Sequence, residues 1–189
     1  MPLKIELELS DEDLAYFARV MDAVWKKNAK KPESELIAAA RGLLKQARKA
    51  KAPEYVLKRL EDIGTLMDIL DDQEWGLEAS ERRRITAAVS YFAAPKDMIS
   101  DKVPGIGYLD DALVADLVIR ELKHDLVGYK DFCAYRDGEH NLSSKKVDRD
   151  SWLATKRKQL FERIRKRRDS AFSRRSGEGP THPILRFKY

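Results

Sequence analysis

Residues 3–9 alternate between apolar and charged side chains. Four apolar side chains share one face of an extended chain and three charged ones share the other: Leu3, Ile5, Leu7 and Leu9 against Lys4, Glu6 and Glu8. A repeat of two predicts a strand with one buried side. Helical patterns follow it, so its partner must come from elsewhere. The candidates are the C-terminal residues 184–189 and the same strand of a second copy, which would make a homodimer.

Most of the remaining chain up to about residue 172 repeats its apolar positions every three to four residues, which is typical of amphipathic helices. Ser10, followed three residues later by Asp13, predicts a capping box at the start of the first helix. Pro32 and Pro53 bound the second helix. Apolar spacing over residues 56–70 predicts a third, although it contains a glycine.

The second half of the chain adds more helices. Ser80 is expected to cap the fourth. Apolar side chains cover nearly the whole surface of residues 109–125, which predicts a helix at the centre of the fold. A further helix is predicted to end near residue 138, and a last long one to run from residue 148 or 150 to about residue 172.

These patterns predict a mainly α fold, a multi-helix globular bundle of six or seven helices around the apolar helix of residues 109–125, with a short N-terminal β-strand. Apolar residues make up 43% of the 189 positions, which is enough to build a core. Charge divides the chain in two. Residues 145–189 carry 15 basic and 5 acidic side chains, whereas residues 1–144 carry 22 and 27. We therefore expect a mildly acidic helical domain over residues 1–144, followed by a basic C-terminal helix and tail.

Composition excludes several classes of protein. The single cysteine, Cys133, excludes an internal disulfide framework and a cysteine-rich zinc finger. No segment approaches the roughly 18 uninterrupted apolar residues of a membrane span. Met1 is not followed by the basic and then apolar stretches of a signal peptide. The expectation is a cytoplasmic protein without a transmembrane segment.

Residues 91–111 combine aromatic residues, prolines, glycines and acids. Pro95 and Pro104 disfavour helix at the residues before them, which predicts a stiff extended loop, and Gly107 permits close backbone approach. The four acids of this segment are Asp97, Asp101, Asp110 and Asp111. They suit turn, N-cap and first-turn positions, where carboxylates accept backbone N–H groups. The alternative is a divalent metal site or a carboxylate pair for hydrolysis, although the spacing is not that of an EF-hand.

This segment resembles the core motif of the YkvA-like bacterial family, a domain of unknown function. It matches the family pattern at Tyr91, Phe92, Pro95, Asp97, Ile99, Asp101, Pro104, Gly107, Tyr108, Leu109, Asp110 and Asp111, and departs from it at Lys96, Ser100 and Lys102. The resemblance covers residues 85–125. It implies a helical hairpin joined by a structured loop, and it implies no activity or cofactor.

Other chemistry-bearing residues form no recognisable pattern. His124, Cys133 and His140 match no spacing of metal ligands or of a nucleophile with its base. Asp116 lies within the apolar helix, where burial without a partner would be costly, but Arg120 lies one turn later and can satisfy it.

The basic C-terminal helix is the main candidate for a contact surface. Its cations are Lys156, Arg157, Lys158, Arg163, Arg165, Lys166, Arg167, Arg168, Arg174 and Arg175. Three kinds of anionic partner fit them: an acidic protein, a nucleic acid backbone and the surface of an anionic membrane. The helix can instead dock on the acidic body of its own chain. The leading interpretation is a non-enzymatic interaction or adaptor protein that uses this helix, and the alternatives are a sequence-nonspecific nucleic-acid-binding protein and a metal-dependent hydrolase built on the aspartates.

Overall fold

The computed structural model describes residues 9–94, 107–140 and 149–175. Six α-helices lie within these ranges: α1 Asp11–Asn28, α2 Glu33–Lys49, α3 Glu54–Asp71, α4 Ala79–Tyr91, α5 Leu109–His140 and α6 Arg149–Arg175. The described ranges contain no strand. Of the expected N-terminal strand, only Leu9 falls within them, so the strand, its pairing with residues 184–189 and a homodimer through it stay predictions.

The start of α1 confirms the predicted capping box. The Ser10 hydroxyl accepts a hydrogen bond from the Asp13 backbone N–H at 3.3 Å, and the Asp13 carboxylate accepts one from the Ser10 N–H at 2.9 Å. The hydrogen bonds from Ser10 lower the pKa of Asp13. The helices α2 and α3 begin directly after Pro32 and Pro53, as the sequence predicts.

Two predicted boundaries are wrong. Ser80 is not a cap, because α4 already begins at Ala79 and the residue at the cap position is Glu78. Just before it, Trp75 is anchored in the core and Gly76 adopts a φ of +58°, so the chain turns into the helix ahead of the serine.

The second wrong boundary lies in α5, where one helix of 32 residues replaces the two predicted. No proline interrupts this stretch, and the buried seam continues past residue 125 through Leu126, Tyr129 and Phe132. Continuous burial favours an unbroken helix, since each additional residue adds a backbone hydrogen bond and core contacts.

The predicted apolar helix is largely buried, but it is not the hub of the bundle, because among the described helices α3 and α4 each pack substantially on three others and α5 on two. The helix α5 packs most extensively on α3, and α6 packs on α5, while α4 contacts α1, α2 and α3. Six apolar side chains of residues 109–125 are buried: Ala112, Val114, Ala115, Leu117, Val118 and Leu122. Within the described ranges, every helix is too short or too polar to cross a lipid bilayer.

The C-terminal helix shares this core. Leu153, Leu160 and Ile164 of α6 are buried in the same apolar cluster as α3 and α5. A Cβ atom added at Gly128 of α5 would lie 2.5 Å from Ile164 Cδ1, so the two helices meet closely at this glycine. The ring of Trp75 closes this end of the core, with its centroid 4.7 Å from that of Phe161 and therefore in direct contact with α6.

Candidate functional site

The described part of the YkvA-like motif comprises its two ends. Tyr91 and Phe92 close α4 and are buried, with ring centroids 5.4 Å apart in an edge-to-face arrangement. Tyr108 is also buried, and its carbonyl accepts the Ala112 N–H at 3.0 Å, which starts the first turn of α5. These contacts fix where the intervening segment leaves α4 and enters α5.

Asp110 and Asp111 occupy the first turn of α5 and are 4% and 3% exposed. Their place at the helix N-terminus agrees with the predicted electrostatic role, because the helix dipole favours negative charge there. Asp97, Asp101, Pro95 and Pro104 lie outside the described residues. Within the described part of the chain, no three His, Cys, Asp or Glu side chains are grouped as metal ligands. The four-aspartate metal site therefore stays a prediction.

A buried cluster of charged side chains joins α4, α5 and α6. Arg168 of α6 donates to both carboxylate oxygens of Glu81, at 2.9 and 3.0 Å. Glu81 also accepts from Arg84 at 3.1 Å, and Arg84 donates to Asp125 of α5 at 2.6 Å. We call these four residues the buried charge network, since the side chains of Glu81 and Asp125 are only 9% and 8% exposed.

Burial and charge act in opposite directions within the buried charge network. Burial disfavours ionised Glu81, but the hydrogen bonds from Arg168 and the charge of Arg84 outweigh it and lower the pKa of Glu81. At Asp125 burial is stronger, and the neighbouring Glu81 charge adds to it, so the pKa of Asp125 is raised despite Arg84. The bidentate bond between Arg168 and Glu81 is therefore the firmest link between α6 and the motif-bearing helices.

The predicted contact surface is divided between two environments. Four of its arginines contact the body of the protein: Arg157 donates to the Glu74 carbonyl at 2.9 Å, Arg163 pairs with Asp131 at 3.5 Å, Arg165 pairs with Glu78, and Arg168 pairs with Glu81. The ammonium of Lys156 lies 4.5 Å from the ring centroid of Tyr135, a cation–π contact. Much of the positive charge of α6 is therefore used to hold the helix in place.

Three other cations of α6 face solvent. Lys158, Lys166 and Arg167 are exposed and make no ion pair within the described ranges. The exposed acids Glu162 and Asp169 lie on the same helix. The side chains of Arg174 and Arg175 are outside the described residues. The exposed part of α6 that the structure describes therefore mixes cations with acids and is less basic than the sequence suggests.

A second polar cluster ties α5 to the segment after α3. Asp72 accepts hydrogen bonds from Arg136 at 2.8 Å, from the Tyr129 hydroxyl at 3.0 Å and from the Trp75 N–H at 3.1 Å. Burial opposes ionisation of Asp72, but the bonds from Arg136, Trp75 and Tyr129 prevail, and its pKa is lowered. A carboxylate that is held by three donors and by the charge of Arg136 is poorly suited to accept a proton.

The remaining candidates have ordinary surroundings. Asp116 is 36% exposed and pairs with Arg59 at 2.8 Å and with Arg120 at 3.7 Å. The Arg120 partner was predicted, and the burial that made Asp116 a functional flag is only partial. Cys133 is half-buried and accepts a weak hydrogen bond from Arg136 at 3.7 Å. His124 lies nine residues before it on the same helix, about 13 Å away along the axis, so the two do not form a joint site.

Sequence reasoning missed the buried charge network. Glu81 and Arg84 are three residues apart on one helix, a spacing that indicates a pair. Their other partners, Asp125 and Arg168, lie 41 and 87 residues away in the sequence, and helical periodicity says nothing about such contacts. Asp72, with partners 57 and 64 residues away, was missed for the same reason.

Comparison with known proteins confirms the resemblance of the motif. Residues 82–116 match the family described as "Protein of unknown function (DUF1232)". A segment of 46 residues is 39% identical to a Bacillus subtilis (strain 168) protein named "Uncharacterized membrane protein YkvA". This match covers 24% of the present chain and 43% of the relative. No solved structure matches the chain.

Proposed function

We propose that this chain, which carries a YkvA-like segment of unknown function within a helical bundle, is a non-enzymatic interaction protein that contacts another protein through the exposed face of α6. The observation that carries the proposal is the division of the α6 cations. Arginines anchor the helix to the body, whereas Lys158 and Lys166 remain exposed on the same face of α6 as Glu162 and Asp169.

Anchoring makes α6 suitable as a recognition element. Its apolar side chains enter the core, and Arg168 is held by both oxygens of a buried carboxylate. The exposed side chains are therefore presented by a helix whose position is already fixed. A fixed helix pays less of the ordering cost that a disordered basic tail pays on binding.

The mixture of charges favours a protein partner over a nucleic acid. A phosphate backbone is uniformly negative, so Glu162 and Asp169 would repel it wherever Lys158 and Lys166 attract it. A protein surface can place a cation opposite each acid and an acid opposite each lysine. Complementary charges of both signs are how protein interfaces fix register and reject wrong partners.

The test places a photo-crosslinking amino acid at position 158 or 166 of the full chain in cells. Crosslinked proteins are identified, and binding is then measured with the purified partner. Lys158→Glu combined with Lys166→Glu should weaken that binding on the order of tenfold. The control is Lys27→Glu with Lys30→Glu, which makes the same change of charge at exposed positions near the end of α1 and should bind normally.

Two results would overturn the proposal. One is partner binding that both double variants retain equally. The other is binding of the unmodified chain to duplex DNA, RNA or anionic vesicles that weakens steeply with salt and is lost in the α6 variant alone. The vesicle arm matters because the Bacillus subtilis relative is named a membrane protein. A cytoplasmic location stays a prediction.

A further inference from the structure

A cleft of about 400 Å³ lies between α2 and α3, away from α6. It is lined by Arg41, Leu44, Lys45, Arg48, Gly64, Met67 and Asp68. This volume falls in the range of small-molecule sites. Leu44 and Met67 give the cleft an apolar floor, and its rim is charged.

The rim is predominantly cationic because three cations lie on one face of α2. Positions 41, 45 and 48 are spaced four and three residues apart, so their side chains follow each other one turn at a time. Asp68 is the only acid among the lining residues, and it pairs with Arg41 at 3.2 Å. Two further acids, Asp71 and Glu61, pair with the arginines from outside the lining.

The pairing of these cations is weak. Arg41 is 49% exposed and divides its charge between Asp68 and Asp71, and Arg48 lies 3.7 Å from an equally exposed Glu61. Lys45 is exposed and makes no ion pair among the residues that the structure describes. Exposed pairs of this kind contribute little to stability, so an incoming anion can compete for their cations at low cost.

Gly64 is the least expected residue of the cleft. Glycine inside a helix is unfavourable relative to alanine, and Gly64 has no left-handed φ that would require it. A Cβ added there would meet only Leu44 Cδ2, at 3.4 Å, which is ordinary van der Waals contact. Neither backbone conformation nor packing demands a glycine, and its effect is to keep the floor of a cationic cleft open.

We propose that this cleft binds a phosphate monoester group, with Arg41, Lys45 and Arg48 contacting its oxygens and Gly64 leaving room for it. Such a group carries a charge of about −1.5 to −2 at neutral pH, and it would bind Lys45 and displace the exposed acids that pair with Arg41 and Arg48. Guanidinium groups bind phosphate oxygens in bidentate fashion, and a lysine adds a point charge. The group can belong to a soluble metabolite or to a phosphatidic acid headgroup, whose phosphate is also a monoester.

The test titrates the full chain with glycerol 3-phosphate by calorimetry at fixed ionic strength, and separately with vesicles that contain or lack phosphatidic acid. Lys45→Gln should weaken binding on the order of tenfold. Gly64→Ala should weaken it as well while leaving the fold intact, because it narrows the floor without changing charge. Lys58→Gln is the control, since this exposed lysine of α3 does not line the cleft.

The outcomes show whether the phosphate monoester belongs to a soluble ligand or to a lipid headgroup, and whether the cleft binds it at all. Binding of glycerol 3-phosphate that is lost in Lys45→Gln and Gly64→Ala supports a soluble ligand. Binding confined to vesicles with phosphatidic acid, with the same loss in both variants, supports a lipid headgroup. Equal binding by Lys45→Gln and Lys58→Gln, or no response to either probe, would overturn the proposal. The result is independent of the role proposed for α6, because no residue of that helix lines the cleft.

Discussion

Two sets of arginine–carboxylate pairs, one buried and one exposed, differ in what they contribute to the protein. In the buried charge network, Glu81 and Asp125 are 9% and 8% exposed and link α4, α5 and α6. On the outer face of α2 and α3, the pairs formed by Arg41 and Arg48 involve side chains that are about half exposed or more. A buried carboxylate that loses its partner has no water to replace it, whereas an exposed one does. The first set therefore fixes architecture, and the second leaves cations available to a ligand.

The largest expected effect comes from Glu81→Gln. This change removes the charge that pairs with both Arg84 and Arg168, and breaking a buried pair typically costs about 3–5 kcal/mol of unfolding free energy. The matched control is Glu61→Gln, which weakens an exposed pair and should cost less than about 1 kcal/mol. Urea unfolding measures both. Similar losses in the two variants would remove the distinction between the two sets of pairs.

Glycine substitutions test the packing beneath the buried charge network. Gly128→Ala should destabilise the protein by up to about 2 kcal/mol, because the crowding of the new Cβ, 2.5 Å from Ile164 Cδ1 of α6, outweighs the gain in helix propensity. Gly42→Ala in α2 meets nothing within 4 Å and should stabilise the protein by up to about 1 kcal/mol. Thermal unfolding of the two variants gives the comparison. If Gly128→Ala stabilised the protein as much as Gly42→Ala does, α5 and α6 would not be in close contact at this position.

Acid should weaken the bundle mainly through Glu81 and Asp72. Their pKa values are lowered in the folded protein, so the stability they contribute is complete above their unfolded values of about 4 and is lost as pH falls through the folded values. Asp125 acts in the opposite direction, since its raised pKa means that the folded state takes up this proton more readily. Unfolding free energies measured between pH 6 and about pH 3 should fall less steeply in Glu81→Gln than in the parent chain. If the unfolding free energies of Glu81→Gln and of the parent chain fell equally steeply with pH, the stabilising role assigned to ionised Glu81 would be contradicted.

The smallest effect concerns His124. Burial and the neighbouring charge of Arg167 lower the pKa of this imidazole below its usual 6.5. Because the unfolded chain binds the proton more readily, stability should decline slightly as pH falls from about 7 through that value toward the lower folded pKa. The substitution His124→Gln should remove this shallow decline. If the stability of His124→Gln declined by the same amount over this pH range, the decline would arise from groups other than His124.

The sequence could predict what periodicity and local signals determine. Three features follow from residues within one or two turns of each other: the Ser10–Asp13 capping box, the starts of α2 and α3 after prolines, and the buried apolar helix over residues 109–125. The start of α4 was misplaced because Trp75 and Gly76 set it from outside the helix. The continuity of α5 was missed because burial against α3 and α6, which no local signal reports, keeps the helix going.

The candidate surface shows the same limit. Counting charges identified α6 as basic, but the count could not show which arginines face acids of the body. Arg168 and Glu81 are 87 residues apart, and so are Arg165 and Glu78, so both pairs exist only once α6 has docked. The sequence did not reveal the cleft between α2 and α3 for a related reason. Its cations were visible in the sequence, but the Gly64 that opens its floor comes from another helix.

The most direct test is a pair of double-mutant cycles on α6. The first combines Glu81→Gln with Arg168→Gln, and the second combines Glu78→Gln with Arg165→Gln, an exposed pair whose two members each lie three residues earlier in the sequence. Urea unfolding of the single and double variants gives a coupling free energy for each pair. We expect at least about 1.5 kcal/mol for the buried pair and less than about 0.5 kcal/mol for the exposed one. Equal couplings, or none between Glu81 and Arg168, would contradict the conclusion that a buried carboxylate holds α6 to the motif-bearing helices.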